Sequence, residues 1–373
     1  MHTDPVRAEL LPAKELSSGD LARWRELAAR ALEPNPFFEP EYLLPLAAGL
    51  GQEDELCLLV VRGADDWRAC MPVQAVSPWR RIPLRSLTTW RGHRLYGLLG
   101  TPLVGPAQPT EALASLLGAM PEAYPGARFA ALEWLSTDGE LAPAIAELLE
   151  SRRPRPVLFE HFERAVLRRR PEPTYVEETL SSKHRRELRR QRRKLGESLG
   201  EEPTTVDRGG EDAAYAELVA LEAAGKAGME TVMAADPGHV AFFERMCRGF
   251  AAAGRLQLLS LQGGGQTVAM KCNILAGSTI FFFKIAYDER WAAFSPGIQL
   301  ELEMLKFFHE DSDAVLMDSC ADHNNAMINR LWPDRRRIET QLLPAQDLAG
   351  RAARPALIAA AALRKRKHER KNR

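Results

Sequence analysis

No pair of cysteines in this chain is spaced as Cys-x-x-Cys. The five that exist (Cys57, Cys70, Cys247, Cys272 and Cys320) are odd in number and widely scattered. That excludes a disulfide framework and a zinc-finger pattern, predicts no metal site, and suits reduced thiols in a cytoplasmic protein. No apolar run approaches the roughly 20 residues a membrane-spanning helix needs; the longest, ALIAAAAL at 356–363, is about half that. The opening MHTDPVRAELLPAKEL carries acids and a proline where a signal peptide has a basic start and an apolar core. The phosphate-loop pattern GxxxxGK[ST], the metalloprotease HExxH, the nucleophile elbow GxSxG and a strand-borne GxGxxG are all missing. Net charge is missing too, with 50 Lys and Arg against 50 Asp and Glu.

The charge is segregated, however. Residues 183–194 (KHRRELRRQRRK) hold eight basic residues and one acid, and residues 351–373 hold nine and one. The remainder has 33 basic and 48 acidic residues, a net charge of −15. Two basic patches on an acidic body offer contacts for tRNA or another anionic surface. Neither run interleaves aromatic residues, which single-strand RNA binders use for stacking, so a solvated helix face and a frayed tail are the plainer reading.

At 373 residues two domains are expected. In the N-terminal half, periodicity predicts a helix near 18–32, a hairpin from ELCLLVVRG and WRACMPVQAV, and an extended IPLRSLTTW. A helix near 109–120, the strand FAALEWLS, a helix at 140–151 and the strand PVLFEHFERAVL follow. RRRPEPTY (168–175) reads as a linker. Beyond it a long basic helix places Leu180, Leu188, Leu195 and Leu199 on one stripe, with helices near 211–224 and 237–253 after it. LQLLSL, VAMKCNIL and TIFFFKIAYD, joined by QGGGQ and Gly277-Ser278, read as an antiparallel meander. A helix with Ile298, Leu302, Leu305 and Phe308 on one face comes next, then the strand AVLMDS, a helix at 324–332 and the strand RIETQLL. The order is mixed α/β, and the N-terminal half repeats its last part.

One junction stands out. The strand TIFFFKIAYD reaches the helix through Ser295-Pro296-Gly297. A helix N-terminus presents unpaired N–H groups and partial positive charge, a local device for holding phosphate. Ser295 is suited to cap, Pro296 to the first turn, and Gly297 to close approach of an anion. A plain Ser-Pro cap without a ligand uses the same chemistry.

With its element order, AYDERWAAFSPGIQL followed by MDSCADHNNAMINRLWPDRR resembles the GNAT acyltransferases, and within them the CelD-like (cellulose-biosynthesis) branch related to FemAB transferases. The basic helix SSKHRRELRRQRRKL resembles one found just upstream in that group. The resemblance covers about 175–345 and implies tandem GNAT-like units, each a mixed, mostly antiparallel sheet flanked by helices. It implies a non-catalytic unit at 1–172, an acyltransferase unit at 173–350 and a basic tail at 351–373. The implied reaction moves an acyl group from acetyl-CoA or another acyl-CoA to an amine or hydroxyl of a sugar or envelope precursor. Alternatives are aminoacyl transfer from charged tRNA and a non-catalytic module binding RNA or an anionic polymer. The glycine-rich pyrophosphate loop usual in GNAT proteins is replaced here by Ser-Pro-Gly.

The resemblance also implies roles. Backbone around Phe283, Lys284, Ile285 and Ala286 would polarise the thioester, and Ser295, Pro296, Gly297 and Ile298 would hold the pyrophosphate. Tyr287 and Asp288 end the fourth strand, and Asp318 and His323, with Asp322 behind them, are candidate bases at the sheet edge. Lys271, Arg185, Arg186 and Arg336 are candidate substrate contacts. Each has a plainer use: Asp318 as a cap, His323 in a solvated loop, the strand lysines with their heads in water, Arg336 pairing an acid, Cys320 as packing.

Overall fold

A computed structural model of the chain describes residues 8–93, 95–225 and 232–371. The first seven residues, where the N-terminal reading begins, and the last two of the basic tail lie outside them. Two compact units emerge. One comprises residues up to 47 with 52–163 and 336 onward; the other comprises 48–51 and 164–335. These bounds differ from the expected divisions at 172/173 and 350/351, because each unit is built from more than one chain segment.

The first unit contains β1 (Ala8–Pro12), α1 (Ser18–Arg30), α2 (Pro40–Leu50), β2 (Cys57–Arg62), β3 (Trp67–Val76), β4 (Ser86–Thr89), β5 (Leu103–Val104), α3 (Pro109–Ala123), β6 (Phe129–Ser136), α4 (Ala142–Ser151) and the start of β7 (Val157–Arg168). β1 to β4 form an antiparallel meander, β4 pairs in parallel with β6, and β5 adds to β3. Ser17 and Asp20 open α1 with a reciprocal capping box, satisfying two otherwise orphaned N–H groups.

The second unit contains α5 (Tyr175–Thr179), α6 (Ser182–Leu199), β8 (Thr204–Asp207), α7 (Asp212–Gly225), α8 (Pro237–Ala252), β9 (Leu256–Gly263), β10 (Gln266–Ala276), β11 (Thr279–Tyr287), α9 (Pro296–Glu310), β12 (Leu316–Asp318) and α10 (Ala326–Leu331). β8 to β11 are antiparallel, and β11 pairs in parallel with β12. The expected glycine turn joins β9 to β10, with Gly264 and Gly265 at φ of 59° and 71°, a region where a side chain is strained. The leucine stripe is buried as expected, Leu180 just ahead of α6 and Leu188, Leu195 and Leu199 within it joining a core with Phe308 and Trp332. Ser181 caps this helix through the N–H of His184. Residues 168–175 are no loose linker. Arg169 donates to the carbonyls of Phe308, His309, Ser312 and Ala314, closing the C-terminal end of α9 and the turn after it.

Two strands close the sheets by exchange. β13 (Asp334–Pro344), which follows the second unit in sequence, pairs with β6 of the first through Ile338–Pro344. The last residues of β7, Val166 to Arg168, pair with β12 of the second. Each unit is therefore a mixed, mostly antiparallel sheet flanked by helices with the same strand order, and the tandem architecture expected from the sequence is present. The basic tail is not frayed, since α11 (Leu348–Lys371) is a continuous helix of the first unit.

Candidate acyl-transfer site

β11 pairs with β12 only from Thr279 to Phe281, opposite Leu316 to Asp318. Beyond that point it runs on to Tyr287 against β10 alone. Parallel neighbours that part in this way leave a fork, with one edge of β11 no longer in a ladder with β12. A β-bulge sits at the parting: Cys272 opposes Lys284 and Asn273 opposes Phe282, so Phe283 has no opposite number. Phe283 stacks on Phe243 with centroids 5.9 Å apart and meets Phe242 edge-on. Lys284 pairs with the buried Glu222 at 2.8 Å, and the carboxylate's other oxygen accepts from the N–H of Met233. Sequence periodicity gave no sign of this bulge, which turns on a one-residue register difference between strands.

At the open end of β11 the chain makes a 3-10 turn, Glu289–Phe294, before α9. Asp288 caps that turn, its carboxylate accepting from the N–H and the guanidinium of Arg290, which holds its pKa below the usual range. It is thus a capping residue and not a base. Ser295 departs from its expected role as well. It adopts the left-handed conformation (φ 54°, ψ 52°), and its hydroxyl makes no capping bond; the first bond of α9 runs from the N–H of Gln299 to the Ser295 carbonyl. Pro296 and Gly297 are buried, and Ile298 is partly so. A Cβ at Gly297 would lie 3.7 Å from Tyr287, 3.8 Å from Ile285 and 4.0 Å from Met327. Ordinary contacts of that kind mean that packing does not demand glycine there, and they show the start of α9 resting on the open end of β11. Beside it is a cavity of about 140 Å³ that Ile298 shares with His184 and Leu188 of α6 and Met327 and Arg330 of α10. Tyr287 is half-buried; burial, with Glu289 nearby, raises its phenol pKa.

The remaining expected residues separate. Asp318 is fully buried, one oxygen accepting from Arg164 at 2.7 Å and the other from the N–H of Cys320 at 2.9 Å. Its carboxylate is neutralised and both oxygens are engaged, which corrects its assignment as a base. Lys271 is not a substrate contact either: it is fully buried in an ion pair with Glu301 of α9. Its ammonium lies 4.2 Å from the centre of the Phe282 ring and 5.5 Å from that of Trp332. Burial lowers its pKa, the Glu301 charge opposing that shift. Arg336 belongs to the first unit, where it pairs with the buried Glu33 and donates to Ser136 at 3.1 Å; the plainer reading, an arginine pairing an acid, holds. His323 and Asp322 are exposed on the loop between β12 and α10.

The basic helix α6 lies against the site. Gln299 of α9 donates to the Leu188 carbonyl at 3.0 Å, and Arg192 reaches Glu303 at 3.4 Å. Arg185, Arg189, Arg192 and Lys306 line a groove of about 390 Å³ between α6 and α9 whose floor includes Leu188 and Leu302. Arg186 is exposed and is not among the groove residues.

The first unit has a fork of its own where β4 and β6 part after Thr88 and Ala131. It is occupied by protein. Glu133 accepts from Trp79 Nε1 at 2.8 Å, Thr88 Oγ1 at 2.9 Å and Arg80 at 2.6 Å, with Arg91 at 3.4 Å. Burial pushes the Glu133 carboxyl up, but Arg80, Arg91 and these donors outweigh it and hold its pKa low. Trp134 is in the left-handed region (φ 59°) with the Arg91 guanidinium 3.8 Å over its ring.

Residues 182–322 match the family model described as an acetyltransferase (GNAT) domain. Fork, helix and family match together make the second unit an acyltransferase domain of the GNAT class, and the chain an acyltransferase enzyme. No curated protein matches the chain in sequence. Among solved structures it is similar to FemX (TM-score 0.56, 10% identity, 94% of this chain and 100% of that one). It is also similar to a domain described as the C-terminal part of a lysylphosphatidylglycerol synthetase from Agrobacterium fabrum (TM-score 0.52, 12% identity, 92% and 94%). The L-PGS of Bacillus licheniformis gives a TM-score of 0.50 at 12% identity, over 90% and 99% of the two chains. At such identities these similarities speak for the fold.

Proposed function

We propose that the second unit transfers an acyl group from an acyl-CoA thioester, acetyl-CoA in the simplest case, to an amine or hydroxyl acceptor such as a sugar or envelope precursor. The reading follows the CelD-like resemblance. The observation that carries it is the fork between β11 and β12 with the start of α9 resting at its open end. A thioester laid along the free edge of β11 has the backbone of Phe283–Ala286 to polarise its carbonyl. The first N–H groups of α9, at Gly297 and Ile298, with His184 and Arg330 across the small cavity, suit the pyrophosphate. Tyr287, a phenol that is protonated near neutral pH, is the residue to hand a proton to the leaving thiolate, and His323 is the residue to take one from the acceptor. Positioning of the two reactants supplies most of the rate. The first unit serves as a supporting domain, because its own fork is filled by Glu133 and its arginines. Five free cysteines fit a reducing, cytoplasmic setting.

Aminoacyl transfer from charged tRNA is the second reading, favoured by the FemX likeness and by the arginines of α6 along the groove. Calorimetric titration with acetyl-CoA and with CoA, wild type beside Gly297→Glu, separates the two. Micromolar binding that the variant loses, with its thermal unfolding unchanged, supports the first. Absence of heat at millimolar CoA sinks it, and charged tRNA then becomes the donor to test.

A further inference from the structure

One side of α11 is fixed and the other has no partner among the described residues. Leu357 is fully buried in a cluster with Trp79, Ile82 and Phe129, and Arg364 is pinned by Glu160 at 2.6 Å. These contacts fix the helix's rotation about its own axis. Helical spacing then sends Leu348, Pro355, Ala359, Ala362 and Leu363 outward, with Ile358 at the margin. Leu348, Ile358 and Leu363 are 82%, 43% and 66% exposed, the largest such group on any one element among the described residues. Past the stripe the helix ends in charge: Arg366 and Arg370 continue the outer side and Lys365 and Lys367 flank it, all four exposed.

We infer that the outer face of α11 is a docking surface for an anionic lipid bilayer. A helix held by its inner side and presenting an apolar stripe that runs into a cluster of four exposed cations matches the two forces at a bilayer interface. The stripe enters the headgroup boundary, and the long basic side chains reach phosphate oxygens. Each Lys or Arg near an anionic leaflet strengthens binding by about fivefold, and the contribution shrinks as salt screens it. An acidic body with its positive charge collected on such an element also orients the approach, one end toward the negative surface. RNA would use the cations but gains nothing from Leu348, Ile358 and Leu363, and no aromatic side chain on this face is available to stack on bases.

The test is co-sedimentation of the full chain with vesicles of phosphatidylcholine alone and of phosphatidylcholine mixed with phosphatidylglycerol. Three forms are compared: wild type, Lys365→Glu/Arg366→Glu/Lys367→Glu, and Ile358→Asp/Leu363→Asp. All five altered side chains are exposed, so unchanged thermal unfolding certifies the variants. The expected result is binding to the mixed vesicles only, weakened at least tenfold in each variant and falling as salt rises. Failure of the wild type to sediment overturns the proposal. So does binding that survives Ile358→Asp/Leu363→Asp, or binding of a transfer-RNA-sized RNA more tightly than the mixed vesicles.

Discussion

The two forks of this molecule start alike and end differently. In each unit an antiparallel meander leads to a strand that pairs briefly in parallel with the next, β4 with β6 and β11 with β12. In each, the following helix opens on a left-handed residue before a proline, Gln108-Pro109 for α3 and Ser295-Pro296 for α9. The first fork is then filled by Glu133, Arg80, Arg91 and Trp79. The second holds its charges in buried pairs, Arg164–Asp318, Lys271–Glu301 and Lys284–Glu222, and has Tyr287 and the start of α9 at the open end of β11. In both units the polar groups near the fork pair with each other; the difference is that Glu133 and its arginines gather at the first fork itself.

The sharpest way to break this contrast is Arg164→Met. It strands a buried carboxylate, and urea unfolding should show a loss of about 3–5 kcal/mol. An intermediate effect is expected from Glu133→Gln, which weakens charge-assisted bonds and should cost about 2 kcal/mol while leaving acyl transfer per folded molecule unchanged. Acid titration sharpens the same point. The folded pKa values of Glu133 and Glu160 both lie below the ordinary 4.5. Their stabilisation is therefore complete above that value and is lost as pH falls through the lowered folded values. Glu133→Gln should flatten that acid limb of the stability curve, as followed by circular dichroism. The smallest effects belong to Ser295. Ser295→Ala removes no capping bond and should change stability by less than about 0.5 kcal/mol, whereas Ser295→Gly relieves a positive φ and should add a few tenths to about 1 kcal/mol in the same denaturation.

Locally patterned features were legible in the sequence. The strand FAALEWLS, the hairpin at 57–76, the meander of β9 to β11 and the leucine stripe of α6 all announce themselves by alternation, turn residues or helical spacing. Elements that lack a clean period did not. α2 contains Pro45 and is apolar nearly all round, β1 and β8 are short edge strands of five and four residues, and the basic end of α11 resembles a solvated tail. The resemblance pointed to the end of β11 and the start of α9, but the fate of the charges around them was not legible. Asp318, Lys271 and Arg336 meet partners 154, 30 and 303 residues away, so whether each is a catalyst or a buried counter-ion is decided by folds of the chain that no local window contains. Ser295 shows the same limit at short range: a Ser-Pro pair fits a side-chain cap, yet the backbone chose the left-handed turn that uses the carbonyl alone.

The traded closing strands carry a consequence for biosynthesis. β6 of the first unit waits for residues 338–344, which leave the ribosome only after the whole second unit has been made. The first unit therefore spends that interval with an unpaired edge, a state that invites chaperones or aberrant pairing. A chain cut between 172 and 173 would yield a first half permanently in that condition, and a second half deprived of the Val166–Arg168 strand. Neither half is a natural unit of folding: the enzyme is completed from its end backward.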